Sequence, residues 1–246
     1  MKKQFLFAAV IISAMIVSCS KEKSETPQTG ETVANSITFK PIFFDPLKIG
    51  LVARYEFDGS LAESTGQLKD AESTMGKGYY TTDRKGVSDH AIQFDGNYGL
   101  HIFNVPLDTS MSIGVWVQTN CYPTFGELPF VEGQQSFSFS QFENEYQAAY
   151  WNSAPGSSQY VAAPSGREWH HLAATRDNSS LKFYIDGALI GSSPSPAGSI
   201  PSISAGDYLL GFAYNNGYVY WNGAMDDLRI YKRVLGSSEV YKLAHL

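Results

Sequence analysis

Cysteine is nearly missing from this chain of 246 residues: only Cys19 and Cys121 are present. A scaffold stapled by several disulfides is thereby excluded. Charge is scarce as well, at 17% of residues, and its balance of 18 basic to 24 acidic side chains leaves no basic excess. A protein that neutralises phosphates along a nucleic acid is therefore excluded. Scarce charge beside 14% aromatic residues also excludes disorder, whose composition runs the other way. Ala, Glu, Lys, Leu and Arg do not dominate, which excludes a coiled coil. Reactive motifs are missing too. There is no Gly-x-Ser-x-Gly elbow, no His-Glu-x-x-His or Cys-x-x-Cys for zinc, and no Gly-Lys-Ser phosphate loop. What remains is rich in Tyr, Phe, Gly and Ser, the material of strands and tight turns.

Long hydrophobic runs are confined to the N-terminus. Lys2 and Lys3 precede an apolar run from Phe5 to Val17. At roughly 13 residues it has the length of a signal-peptide core and is too short to span a bilayer easily. It ends in Ile16-Val17-Ser18-Cys19, which resembles the lipobox of bacterial lipoproteins. The resemblance implies that residues 1–18 are a signal peptide and that Cys19 is acylated. An ordinary secretory peptide ending in Cys, or a buried first helix, is the alternative. Ser20-Lys21-Glu22-Lys23 resembles the charged signals that send lipoproteins of Bacteroides-like bacteria to the outer cell surface, with a periplasm-facing anchor as the alternative. The expected location is the outer membrane, with contact to the bilayer through the lipid only. Residues 19–45 read as a polar tether and residues 46–246 as the folded domain, expected to be monomeric. With Cys19 spent on lipid, Cys121 stands alone and reads as a small buried apolar residue.

The domain reads as strands and turns. Met111–Gln118 alternates, with Ile113, Val115 and Val117 on one face and Trp116 on the other; Phe137–Ser140 alternates strictly. Leu181–Ile185, Asp186-Gly187 and Ala188–Ile190 form the strongest hairpin signal, because Asp-Gly accepts the positive φ angles of a type I′ turn. Tyr208–Tyr214 and Tyr218–Trp221 are placed to pair across Asn215-Asn216-Gly217. Only the tail from Ser237 reads as helix, with Gly236 as N-cap and Glu239 at the third position. Roughly ten to fourteen short strands without helical periodicity predict an all-β fold, a two-sheet antiparallel sandwich or jelly roll with a short C-terminal helix.

Four segments in order sharpen this. They are Leu51–Gly59, Ala91–Gly96, Trp169–Ala173 with Phe183–Gly187, and Gly223–Tyr231 followed by Leu235 and Glu239. Together they resemble the bacterial laminin-G-like jelly-roll domains of the concanavalin A-like lectin and glucanase superfamily. Trp169 is expected to pack between the sheets and His171 to be a hydrogen-bonded structural histidine. Arg229 is expected to share a strand face with Asp227. Laminin-G-like domains often carry one calcium ion, so the resemblance implies a possible structural Ca2+ site, for which Asp58 and Asp226 are the candidates, on first and last strands expected to be neighbours. The superfamily holds lectins, adhesion modules and glycanases alike, so fold does not settle function.

A retaining glycanase needs two carboxylates on one sheet face. Glu127 and Glu132 are five residues apart and face opposite ways on a regular strand; Asp226 and Asp227 are adjacent and opposed unless bulged; Glu143 and Glu145 fall in an expected turn. No pair matches, so no catalytic residue is assigned and the protein reads as a non-enzyme. Sugar binding calls for aromatic platforms with amides nearby. Two places supply them: Tyr150-Trp151-Asn152, and Tyr214-Asn215-Asn216 with Tyr218 and Trp221. The leading expectation is a tethered, non-catalytic carbohydrate-binding module that captures glycan at the cell envelope. A protein-interaction or adhesion module with an envelope protein partner is the alternative, and a divergent glycoside hydrolase comes third.

Overall fold

The computed structural model describes residues 45–76, 78–120, 126–151, 161–164, 167–195, 203–214 and 218–246. In chain order the strands are β1 (Leu51–Tyr55), β2 (Glu72–Met75), β3 (Tyr79–Thr81), β4 (Ala91–Asp95), β5 (Gly99–Pro106) and β6 (Met111–Thr119). They continue with β7 (Glu127–Gly133), β8 (Phe137–Phe142), β9 (Glu145–Tyr150), β10 (Val161–Pro164), β11 (Trp169–Arg176) and β12 (Ser180–Ile185). The last are β13 (Ala188–Pro194), β14 (Ala205–Leu210), β15 (Phe212–Tyr214), β16 (Tyr218–Tyr220) and β17 (Asn222–Tyr231), followed by helix α1 (Ser237–Leu243).

Two antiparallel sheets hold most of them. The first runs β13-β12-β11-β6-β17-β4-β3, with β1 also paired to β17; the second runs β10-β9-β8-β7-β14-β5-β2. The first and last strands are neighbours, as expected. Alternation explains the layering. In the first sheet Ile113, Val115 and Val117 of β6 and Leu172 and Ala174 of β11 turn inward. In the second, Phe137 and Phe139 of β8 and Tyr146, Ala148 and Tyr150 of β9 meet them from the other side. Each fully buried side chain of this size contributes about 1.5–3 kcal/mol through area removed from water.

The predicted turns form. Asp186 and Gly187 both take positive φ, 51° and 80°, and close the β12–β13 hairpin. β15 and β16 pair as the sequence predicts, forming a separate two-stranded ribbon. Gly211 starts that ribbon at φ 75°, and a Cβ there would lie 2.0 Å from the Phe94 ring. Only glycine lets the chain turn against that ring.

Helix α1 covers part of the first sheet's outer face. Val240 and Leu243 join Leu47, Ala173, Tyr184, Tyr231 and Leu235 in a second, smaller core. The Glu239 carboxylate accepts from the Gly236 N–H at 2.9 Å and also holds the Arg233 guanidinium, fixing the start of the helix. Trp169 departs from expectation. It pairs in register with Gln118, on the same outward face as Trp116 and His171, and lies half-buried there instead of between the sheets.

Candidate functional site

The outer face of the second sheet gathers most of the groups able to hold a ligand. Its geometry begins with an irregularity in β7. Pro129 pairs with Ser140 and Val131 with Phe139, so Phe130 is one residue too many. Phe130 and Val131 are both fully buried. The extra residue inverts the alternation, and Glu127, Pro129 and Glu132 line one cavity. The expectation that Glu127 and Glu132 oppose each other is thus corrected: it holds for a regular strand, and this one is bulged.

That cavity, of about 260 Å³, is completed by Ser138, Trp151, Ala213 and Tyr214. Trp151 follows β9, anchored by its backbone N–H to the Ser136 carbonyl at 2.9 Å, and its residue is 38% exposed. Tyr214, at the end of β15, is 67% exposed. Ser140 donates to the Glu127 carboxylate. Glu132 is half-buried, and its Oε2 has no hydrogen-bond partner among the described residues. Burial, reinforced by the charge of Glu127, pushes the Glu132 carboxyl above its usual range. Glu132 also walls a neighbouring cavity of about 320 Å³ with His101, Gln134, Asp207 and Leu209. There His101 Nε2 lies 3.1 Å from Asp207, and its ring sits on Phe103 at 3.8 Å. The two hollows meet at Glu132 and extend across β5, β14 and β7.

The structure brings one residue from each predicted platform, Trp151 and Tyr214, to the same cavity. Tyr150 and Trp221 are corrections. Tyr150 points inward on β9, edge-on to Phe137 at 5.4 Å with the Arg176 guanidinium 4.0 Å over its ring. Trp221 is fully buried against Phe130 at 5.0 Å and Phe94 at 5.9 Å. Alternation decides the first: Tyr146, Ala148 and Tyr150 share the core face, so the outward aromatic is Trp151. Cys19, Cys121, Asn152, Asn215 and Asn216 lie outside the described residues, and so does the side chain of Tyr218 in β16. Ser138 carries no signal in the sequence, and Glu127 and Glu132 are set aside there only because a regular strand opposes them; a proline inside a strand, Pro129, is the cue that marks the bulge.

Asp58 and Asp226 line a separate basin of about 200 Å³ with Arg54, Asp83, Arg84 and Asp227. Asp227 stands at φ 46°, at the irregularity in β17, which brings adjacent carboxylates to one guanidinium. Arg84 donates to Asp226 and lies 3.9 Å from Asp227. Arg229 grips Asp227 through Nε at 2.9 Å and Nη2 at 2.8 Å, a pairing beyond the shared strand face that the spacing predicts, and Arg54 adds a bond at 3.1 Å. These guanidinium groups hold the Asp227 carboxylate well below the usual range against the cost of burial. Asp58 is exposed and pairs with His90 at 3.1 Å. Calcium takes roughly six to eight oxygen ligands. As placed, the Asp226 and Asp227 carboxylates serve arginines and Asp58 serves His90, and no group of three or more acidic, His or Cys side chains able to hold a metal occurs among the described residues. The donor set does not fit a calcium ion.

Residues 93–241 match the Laminin_G_3 family, described as the concanavalin A-like lectin/glucanases superfamily. No curated protein matches the sequence. Among solved structures, domain 4 of AbnA, a GH43 extracellular arabinanase from Geobacillus stearothermophilus in complex with arabinotriose, is 24% identical with a TM-score of 0.64. The alignment spans 79% of this chain and 98% of that one. Botulinum neurotoxin type C, which interacts with two ganglioside molecules, gives 12% identity and a TM-score of 0.65. The binding domain of botulinum neurotoxin DC in complex with rat synaptotagmin II gives 13% and 0.64. The match spans 80% of this chain and about half, 51%, of each toxin chain. At these identities the likeness is one of fold.

Proposed function

Because this chain belongs to the concanavalin A-like lectin/glucanase superfamily, we propose that it is a carbohydrate-binding module that takes its ligand on the outer face of the second sheet. The observation that carries this is the Oε2 of Glu132, buried with no donor among the described residues, in a cavity that the exposed Trp151 and Tyr214 also line. A buried carboxylate oxygen left unpaired costs about 1–3 kcal/mol or more. A sugar hydroxyl supplies the missing donor, while the apolar face of a pyranose or furanose ring lies against the aromatic rings. Ser138 and the adjoining His101–Asp207 wall add polar contacts for further units of an oligosaccharide. Structures of this fold with arabinotriose and with a ganglioside-binding toxin support the substrate class. Anchoring through Cys19 at the cell envelope remains part of the proposal and rests on the leader sequence.

The test is a glycan array followed by titration of the bound glycan. W151A and E132A are each expected to weaken binding by about tenfold or more, equivalent to ~1.4 kcal/mol. Unchanged affinity in both variants overturns the site.

One observation favours a second reading, glycoside hydrolysis. Glu127 and Glu132 share a cavity, and one of them is held above its usual range. Release of reducing ends from the bound glycan, abolished in E132Q and E127Q, would establish that reading in place of simple capture.

A further inference from the structure

Charge is divided unevenly between the two sheets. The strands of the second sheet carry five acidic residues, Glu72, Glu127, Glu132, Glu145 and Asp207, and no Lys or Arg; Arg54, Arg176, Lys182 and Arg229 all belong to strands of the first. Strand phase puts the five acids on the outer face. Glu72 pairs with His101, which alternates with the inward Leu100 and Ile102, and Glu145 precedes the inward Tyr146. Glu127, Glu132 and Asp207 line the two hollows already described. The connections add no cation either: residues 86–166 and 183–228 contain no Lys or Arg, and every residue lining either hollow falls within these stretches. The donors that do reach these carboxylates leave most of the charge uncancelled. Ser140 serves Glu127 through a hydroxyl, Asp207 accepts from the Asn104 N–H at 2.9 Å beside His101, and Glu132 Oε2 has no donor among the described residues. A cleft lined by one sign of charge concentrates that potential where a ligand enters.

We propose that the Glu132 site is selective for charge: it takes a saccharide bearing a free amino group, in its ammonium form, and rejects saccharides bearing a carboxylate or a sulfate. This selectivity rests on the reading of the face as a saccharide site. Trp151 and Tyr214 receive the ring, and an ammonium on it gives Glu132 Oε2 a charge-assisted hydrogen bond, roughly twice as strong as the bond from a neutral hydroxyl. An anionic sugar in the same place meets Glu132 and Glu127 with like charge and no lysine or arginine to offset it.

The test is titration of the full protein with fully deacetylated chitotriose, its N-acetylated counterpart, trigalacturonate and trilysine, at about pH 6, where a primary amine is charged. The deacetylated trimer is expected to bind about tenfold or more tighter than the acetylated one and than trilysine, which matches its charge but has no ring to stack. Trigalacturonate is expected not to bind. E132Q, which keeps the shape of the side chain and removes its charge, should collapse the ratio between the two chitotrioses, and rising salt should narrow it. W151A should weaken both and leave the ratio standing. Equal affinity for the two chitotrioses, binding of trigalacturonate, trilysine binding as tightly as the sugar, or a ratio unchanged in E132Q overturns the charge selectivity, while W151A-sensitive binding of any trisaccharide still supports the saccharide site. Absence of W151A-sensitive binding by every trisaccharide overturns both.

Discussion

His171 holds a charge poorly where it stands. It is fully buried on β11, edge-on to Trp116 at 5.4 Å, and its Nδ1 has no partner in the described structure. Burial depresses its pKa to about 3, against the opposing pull of Asp227 and Asp186. Its neighbour His170 moves the other way, raised by its 2.8 Å contact with Asp186. The sign follows from which state binds the proton. Below about pH 6.5 the unfolded chain protonates His171 and the native protein does not, so stability falls as pH drops toward 3. His170 works in the opposite sense, so the comparison must be with a variant. Between about pH 6 and pH 4, H171Q is expected to lose less stability than the native protein, by up to ~1.4 kcal/mol per pH unit. Urea titrations of both proteins across that range check it. At this scale the sequence is an uneven guide. Trp151 and Tyr150 are neighbours of similar character, and strand phase alone makes one a surface and the other core. Trp221 has the same composition of neighbours as a binding loop and is nonetheless fully buried.

At the scale of elements, local chemistry was readable wherever a turn demanded a particular residue. Asp186-Gly187 and the Gly236/Glu239 helix start follow from backbone requirements that few residues meet. Gly187 is more constrained than its φ of 80° implies, because a Cβ there would stand 2.9 Å from the Tyr241 Cα of the helix. Replacement by Ala is therefore expected to destabilise the fold by about 1–3 kcal/mol. Thermal unfolding of G187A measures this; an unchanged midpoint would show that the hairpin relaxes away from α1. The bulge at Phe130 was not readable by counting. A parity argument over five residues is inverted by a single extra one, and the pairing partner that exposes the extra residue is the distant strand β8. The same applies to Asp226 and Asp227, whose shared arginine depends on an irregularity in β17.

Across the whole molecule, the sandwich was legible from its strands, turns and four characteristic segments, whereas the assignment of its outer faces was not. Which face a helix covers, and which aromatics stay exposed, depends on contacts between strands far apart in sequence. Trp169 shows this, lying outside the first sheet although its type and position favoured the core. The basin around Asp226 shows it for charge. Asp58 and Asp226 read as metal ligands in the sequence, but Asp58 pairs with His90, and three arginines from β1, the β3–β4 connection and β17 converge on Asp226 and the adjacent Asp227. Addition of a chelator is accordingly expected to leave the unfolding midpoint unchanged. A calcium-dependent rise of several degrees would contradict that account of the basin. The central claim is that the bulged face of the second sheet holds a saccharide, and a crystal structure with the array-identified oligosaccharide tests it most directly. The account predicts a sugar ring against Trp151 and Tyr214, with a hydroxyl within hydrogen-bond distance of Glu132 Oε2. A sugar bound only elsewhere, with Glu132 still unpartnered, would contradict it.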